Sequence, residues 1–244
     1  MRSQEELFLM YKKLNKSSNS FDRGLDVVDY FKEMVRKNPD KLALVYEDET
    51  ITYKQLDEMS NRIANALKQR GVMHGDRVSV ILNNKVDFII AVIGIVKLNA
   101  AYVPIDPDYF DDRILFMIES SHSKIIIVDK DGKERFLDAV LYEDMLLAEE
   151  TDLERCSCLD SVLCIMYTSG TTGSPKGVMI PQRGIVRLVV NGYYQYKEQD
   201  RMLQTSTVVF DISLQEIWGS LMNGITLYIT NKQDILEVKR FEYL

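Results

Sequence analysis

Two short runs, Lys124–Asp129 (KIIIVD) and Val162–Thr168 (VLCIMYT), have almost unbroken apolar interiors. A strand solvated on one face alternates apolar and polar side chains. A run this continuous has to be covered on both faces, as in a parallel sheet between helices. The segments around these runs have helical rather than strand spacing. In Ile51–Val72, Leu56, Met59, Ile63, Ala66 and Leu67 fall on one helical face. Thr52 and Gln55 have capping-box spacing at its start, and Gly71 supplies its stop. The chain therefore reads as α/β, with layered, largely parallel sheets flanked by helices.

The remaining pattern agrees. Leu42–Glu47 and Glu49–Tyr53 read as a hairpin around Asp48. Strands are expected at Arg77–Leu82, Ala100–Ile105, Gly177–Ile180, Met202–Thr205 and Ile225–Ile229. Helices are expected at Val86–Leu98, Tyr109–Ser121, Gln182–Tyr194 and Ser213–Met222, with another beginning near Asp234. Residues 1–25 are polar and read as a linker or helical extension. The charged stretch Asp131–Asp160 reads as irregular, which divides the chain into a first α/β unit at 26–155 and the start of a second at 156–244.

Composition narrows the functional classes. The formal charge is -7, which argues against a general nucleic-acid or anionic-membrane binder. The longest apolar stretch, Phe88–Val96, is about half the ~18 residues that a membrane span needs. The first residues lack the apolar segment of a signal peptide, so a cytoplasmic protein is expected. Cys156 and Cys158 have no second cysteine pair, and His74 and His122 are distant in sequence. That spacing does not assemble a zinc site, and no metal ligand is assigned.

One segment is chemically distinct. Met166–Ile180 (MYTSGTTGSPKGVMI) gathers glycines, hydroxyls, one proline and one lysine directly after a buried strand. It fails the Walker pattern, because Pro175 and Gly177 flank Lys176. It is not G-x-G-x-x-G either. Gly170, Gly173 and Gly177 would let backbone amides approach an anion closely. Thr168, Ser169, Thr171, Thr172 and Ser174 offer hydroxyl donors, Lys176 a mobile charge, and Pro175 limits wandering. Phosphate binding competes here with a plain exposed Gly/Ser/Thr loop.

The segment YTSGTTGSPKG resembles the signature of the adenylate-forming enzymes, in particular the amino-acid adenylation domains of non-ribosomal peptide synthetases. Ile51–Val72 and Val96–Tyr109 resemble the first and second core motifs of those domains, and Phe210–Trp218 the fourth. Lys97-Leu98-Asn99 departs from the Lys-Ala-Gly of most members at a structural turn. The motifs keep family order from about Asp26 to Leu244, which implies the N-terminal portion of that fold.

The resemblance implies a two-step reaction. An amino-acid carboxylate attacks ATP to give aminoacyl-AMP and pyrophosphate, and the acyl group passes to a phosphopantetheinyl carrier-protein thiol. Thr168, Ser169, Gly170, Thr171, Thr172, Gly173 and Lys176 would hold the phosphates, with Mg2+ bridging them and Lys176 counted as catalytic. Asp211 would pair with the substrate ammonium, while Ile212 and Gln215 would line the side-chain pocket. Asp211 as a helix cap is the competing reading of that residue, with Ser213 able to cap in its own right. Ile217 and Trp218 are expected in the core, and Phe210 is expected to pack rather than bind. The family's later adenine-binding, ribose-binding and C-terminal lysine motifs do not occur in these residues. Activity is therefore expected to need the remainder of the domain. An acyl- or aryl-CoA ligase, a D-alanine:carrier-protein ligase and a non-catalytic nucleotide-binding module are the alternatives.

Overall fold

Side-chain caps set the starts of the first long helices. The computed structural model describes residues 3–14, 24–168, 175–190, 192 and 194–230. Helix α1 (Gln4–Leu14) occupies the expected extension. Asp26 then caps α2 (Val27–Lys37) in a capping box with Asp29. Strands β1 (Leu42–Tyr46) and β2 (Glu49–Thr52) pair antiparallel as the expected hairpin. Thr52 caps α3 (Tyr53–Gln69), its oxygen accepting from the Gln55 N–H while Gln55 returns the bond. Both ends satisfy amides that a helix leaves unpaired.

The strand–helix alternation follows in order: β3 (Arg77–Ile81), α4 (Lys85–Lys97), β4 (Ala101–Pro104), α5 (Asp111–Ser121) and β5 (Ile125–Val128). The turn after α4 accommodates the Lys-Leu-Asn departure. Asn99 takes φ 54°, a left-handed conformation that asparagine tolerates better than most residues. Its amide also donates to the Cys156 carbonyl.

The stretch expected to be irregular is partly ordered. Asp129 caps α6 (Lys130–Arg135) through the Gly132 N–H, β6 (Val140–Leu141) joins β5, and α7 (Tyr142–Met145) follows. Short polar segments of this kind escape periodicity, because their order comes from one cap and one sheet edge. Next come β7 (Val162–Thr168), β8 (Lys176–Pro181) and α8 (Gln182–Val189). Helix α8 is shorter than expected, since Val190 turns extended at φ -97° and ψ 117°. β9 (Arg201–Gln204), α9 (Ile212–Asn223) and β10 (Thr226–Ile229) complete the described chain. The helix expected from Asp234 lies outside the described residues.

Two sheets result, ordered β2-β1-β10-β9 and β6-β5-β3-β4-β7-β8. All neighbours pair parallel except β1 with β2 and β7 with β8. Both sheets run across the expected division at residue 155, because β10 joins β1 and β7 joins β4. Each sheet therefore draws strands from both sides of that division. One core cluster includes Leu44 and Leu227 from the first sheet, Val80 and Cys164 from the second, and buried faces of α2, α3, α4, α8 and α9. A smaller cluster covers the other face of the six-stranded sheet, where Val103 and Ile165 meet Ile114 and Met117 of α5.

A buried charge ties the helices together. Lys97, 3% exposed, donates to the Asp57 carboxylate and carbonyl, the Ser60 hydroxyl and the Asn61 side-chain oxygen. Lys32 of α2 pairs with the other Asp57 oxygen and with Asp152. The ammonium is thereby fully partnered, which burial demands. No helix of the described residues is long and apolar enough to cross a membrane.

Candidate active site

The glycine-rich segment closes a β-hairpin. Strands β7 and β8 pair so that Thr168 stands opposite Lys176 at the end of the ladder. Directly opposed residues of an antiparallel pair project to the same face, so their side chains emerge side by side. Both are exposed. Ser169, Gly170, Thr171, Thr172 and Gly173 lie outside the described residues, between these two anchors. The hairpin starts at the carboxyl end of β7, the end where α/β sheets bind ligands.

Alternation locks the other face. Tyr167 donates to the Met117 carbonyl at 3.1 Å, and its hydroxyl lies 2.6 Å from that of Ser120, joining the hairpin to α5. Gly177 stands opposite Tyr167. A Cβ there would meet Ile165 Cγ2 at 3.0 Å and the Tyr167 ring at 3.3 Å. Gly177 does not take a positive φ. A side chain at this position would press on the isoleucine and tyrosine packed over it. A cavity of about 280 Å³ lies near Lys97 and one of about 700 Å³ beside Tyr167 and His122; neither is lined by Thr168, Lys176 or Asp211.

The second cluster sits where β9 passes into α9. Asp211 has helical angles, φ -61° and ψ -28°, at the helix start, and its exposed carboxylate makes no capping hydrogen bond. The capping reading of this residue is therefore not realised. Ser213 does not cap either: its hydroxyl donates to the carbonyls of Phe210 and Val208, at 2.6 and 3.3 Å. Phe210 was expected to pack but is 61% exposed, while its carbonyl accepts the Ser213 hydroxyl. Ile212 is 57% exposed, and Gln215 is half-buried, within reach of the Tyr196 hydroxyl. Ile217 and Trp218 are in the core as expected, the indole donating to the Tyr102 hydroxyl at 3.4 Å.

Thr168 and Lys176 are brought together, as are Asp211, Ile212 and Gln215; no described contact joins the two groups directly. They are linked through the scaffold, because α8 follows β8 at once and packs on α9.

Two charged residues were missed by sequence reasoning. Glu216, 6% exposed, accepts bonds from Thr205 and Ser206. Lys85 donates to the carbonyls of Thr230 and Ser206, at 2.7 and 3.5 Å. Burial holds the Lys85 ammonium below its ordinary range, and the Glu216 charge opposes that shift. The available signal for Glu216 was that it is the one charged residue of α9.

Residues 31–244 match the family model described as AMP-binding enzyme. The chain is 33% identical over 244 residues to gramicidin S synthase 2 of Aneurinibacillus migulanus, covering 98% of this chain and 6% of that protein. It is 34% identical over 246 residues to surfactin synthase subunit 2 of Bacillus subtilis (strain 168), covering 97% of this chain and 7% of that protein. The chain thus spans only a small share of the curated relatives it matches. Among solved structures, the AMPPNP-bound form of the nonribosomal peptide synthetase FmoA3 superposes with a TM-score of 0.85 and 26% identity, over 94% of this chain and 25% of that one.

Proposed function

The chain belongs to the family of AMP-binding enzymes, and from that premise we propose that it forms the N-terminal part of an amino-acid adenylation domain. The substrates are ATP and an amino acid, and the acceptor is a phosphopantetheinyl carrier-protein thiol. The amino-acid carboxylate attacks the α-phosphorus, pyrophosphate leaves, and the aminoacyl-AMP then loses its acyl group to the thiol. The reading places the reaction in the cytoplasm.

The observation that carries it is Asp211. Its carboxylate is held at the start of α9 without a capping bond, free to meet a cation. A substrate ammonium entering an enclosed site needs such a partner. A plain fatty acid would present nothing for it to bind.

The hairpin supplies the other half. Nucleotidyl transfer needs positioning and charge neutralisation more than covalent help. Lys176 and Thr168, side by side at the hairpin base, fit the β- and γ-phosphates, with Ser169, Gly170, Thr171, Thr172 and Gly173 closing over them. Lys176 is the one cation of this segment and carries the catalytic neutralisation. Mg2+ would enter with ATP as part of the substrate and offset phosphate charge. Among the described residues no group of three His, Cys, Asp or Glu side chains is placed to hold a metal. Ile212 and Gln215 face the substrate side chain.

The names of the relatives, gramicidin S synthase 2, surfactin synthase subunit 2 and a nonribosomal peptide synthetase with AMPPNP bound, support the same reading. Hydroxylamine trapping of the activated carboxylate by the full-length protein tests it. Hydroxamate is expected with one or a few amino acids in the presence of ATP. Hydroxamate only from plain or aryl carboxylates would overturn it.

A further inference from the structure

A carboxylate that must meet a substrate ammonium has to be held still, yet the Asp211 backbone lies outside any sheet. Residues Thr205–Phe210 connect β9 to α9 and carry Asp211 at their end. This loop is anchored from within. At its exit, the Ser213 hydroxyl donates to Val208 and Phe210. At its entry stands Glu216. Its Oε1 accepts from the Thr205 N–H at 3.2 Å, the Thr205 hydroxyl at 3.0 Å and the Ser206 hydroxyl at 2.9 Å. Its Oε2 accepts from the Ser206 N–H and the Gln204 side-chain amide, both at 3.4 Å. Three consecutive residues leaving the sheet are thus held by one side chain.

The choice of residue is informative. Glu216 is nearly buried, and among the described residues its partners are dipoles rather than an ion-pair cation. Lys85 lies close enough to feel its charge but donates to the Ser206 and Thr230 carbonyls. For stability alone, an apolar side chain at such a position is often as good or better. What a buried carboxylate adds is direction: it fixes several donors at once in one geometry. We infer that Glu216 is a positioning residue for substrate binding, holding Thr205–Phe210 so that Asp211 meets the ammonium, with no contact of its own to the substrate. The inference rests on the Asp211 reading above.

The test compares the full-length protein with Glu216→Gln and Asp211→Asn in amino-acid-dependent ATP–pyrophosphate exchange, alongside amide hydrogen exchange across 204–211. Glu216→Gln keeps the volume but turns an amide toward the Ser206 and Gln204 donors. It is expected to raise KM for the amino acid about tenfold, leave KM for ATP within about twofold, and speed amide exchange at Thr205 and Ser206. A merely structural role would move both KM values together with the melting temperature. If Glu216→Gln leaves the amino-acid KM unchanged while Asp211→Asn raises it, the positioning role is overturned and the Asp211 reading stands. If Asp211→Asn has no effect, the ammonium reading fails and this inference falls with it. Should Glu216→Gln not fold, Ser206→Ala removes one donor, the Ser206 hydroxyl, from the same carboxylate network and leaves its backbone N–H in place. It should raise the amino-acid KM by about threefold with ATP unaffected; no change overturns the inference.

Discussion

Lys97 and Lys176 are lysines in opposite surroundings, and each has a measurable signature. Burial pushes the Lys97 ammonium down to about 8, with the Asp57 carboxylate opposing the shift. Asp57, Ser60 and Asn61 face it from α3, and Lys32 and Phe31 from α2. A lysine with a folded pKa below its unfolded value binds fewer protons when folded. Stability therefore rises with pH between about 8 and 10.5. Urea unfolding across that window should show the unaltered chain gaining on Lys97→Met as pH rises. A flat or falling difference would contradict the buried-ammonium picture. Lys176 is exposed and opposite Thr168. Removing one charge-assisted contact to phosphate costs about 1.5–3 kcal/mol, so calorimetry on Lys176→Ala should show ATP binding weakened about tenfold or more. Lys176 was legible in the sequence because glycines and hydroxyls surround it. Glu216 and the Lys97 partners were not, because a buried charge shows its meaning only when distant donors and acceptors converge on it.

Elements were read best where local chemistry decided them. The Thr52–Gln55 capping box and the β1–β2 hairpin were visible because caps and short turns depend on residues only a few positions apart. Strand β7 was visible because a strand covered on both faces has nearly no polar residue. Helix α8 was overextended and α6, β6 and α7 were missed, since their limits come from a sheet edge and from single caps. One element-scale contact was invisible beforehand. Helices α3 and α4 cross closely at Gly94, where an added Cβ would meet Ile63 Cβ at 2.7 Å and the Ser60 carbonyl at 2.9 Å. Gly94→Ala must spread the crossing, at about 1–3 kcal/mol. The same spreading strains the Lys97 cluster, which uses Ser60 and Asn61 of the same helix. Denaturant unfolding should show the loss; unchanged stability would mean that the two helices are not packed this closely.

At the scale of the molecule, the order of strands and helices was legible but their partners were not. Periodicity says that Leu42–Tyr46 and Thr226–Ile229 are strands, and nothing in either says that they lie side by side. That long-range pairing sets where Asp211 stands, because β9 and β10 close the sheet begun by β1, while the hairpin bearing Lys176 closes the other. The two halves of the candidate site thus belong to two sheets and one shared core. The proposal needs both: a phosphate clamp at the hairpin and an ammonium-binding carboxylate at α9. The most direct measurement is ATP–pyrophosphate exchange by the full-length protein, with its preferred amino acid set against the same acid lacking the amino group. Exchange with the amino acid, its loss with the des-amino acid, and a reduced preference between them in Asp211→Asn are predicted. Equal exchange with both acids in the unaltered protein would contradict the assignment.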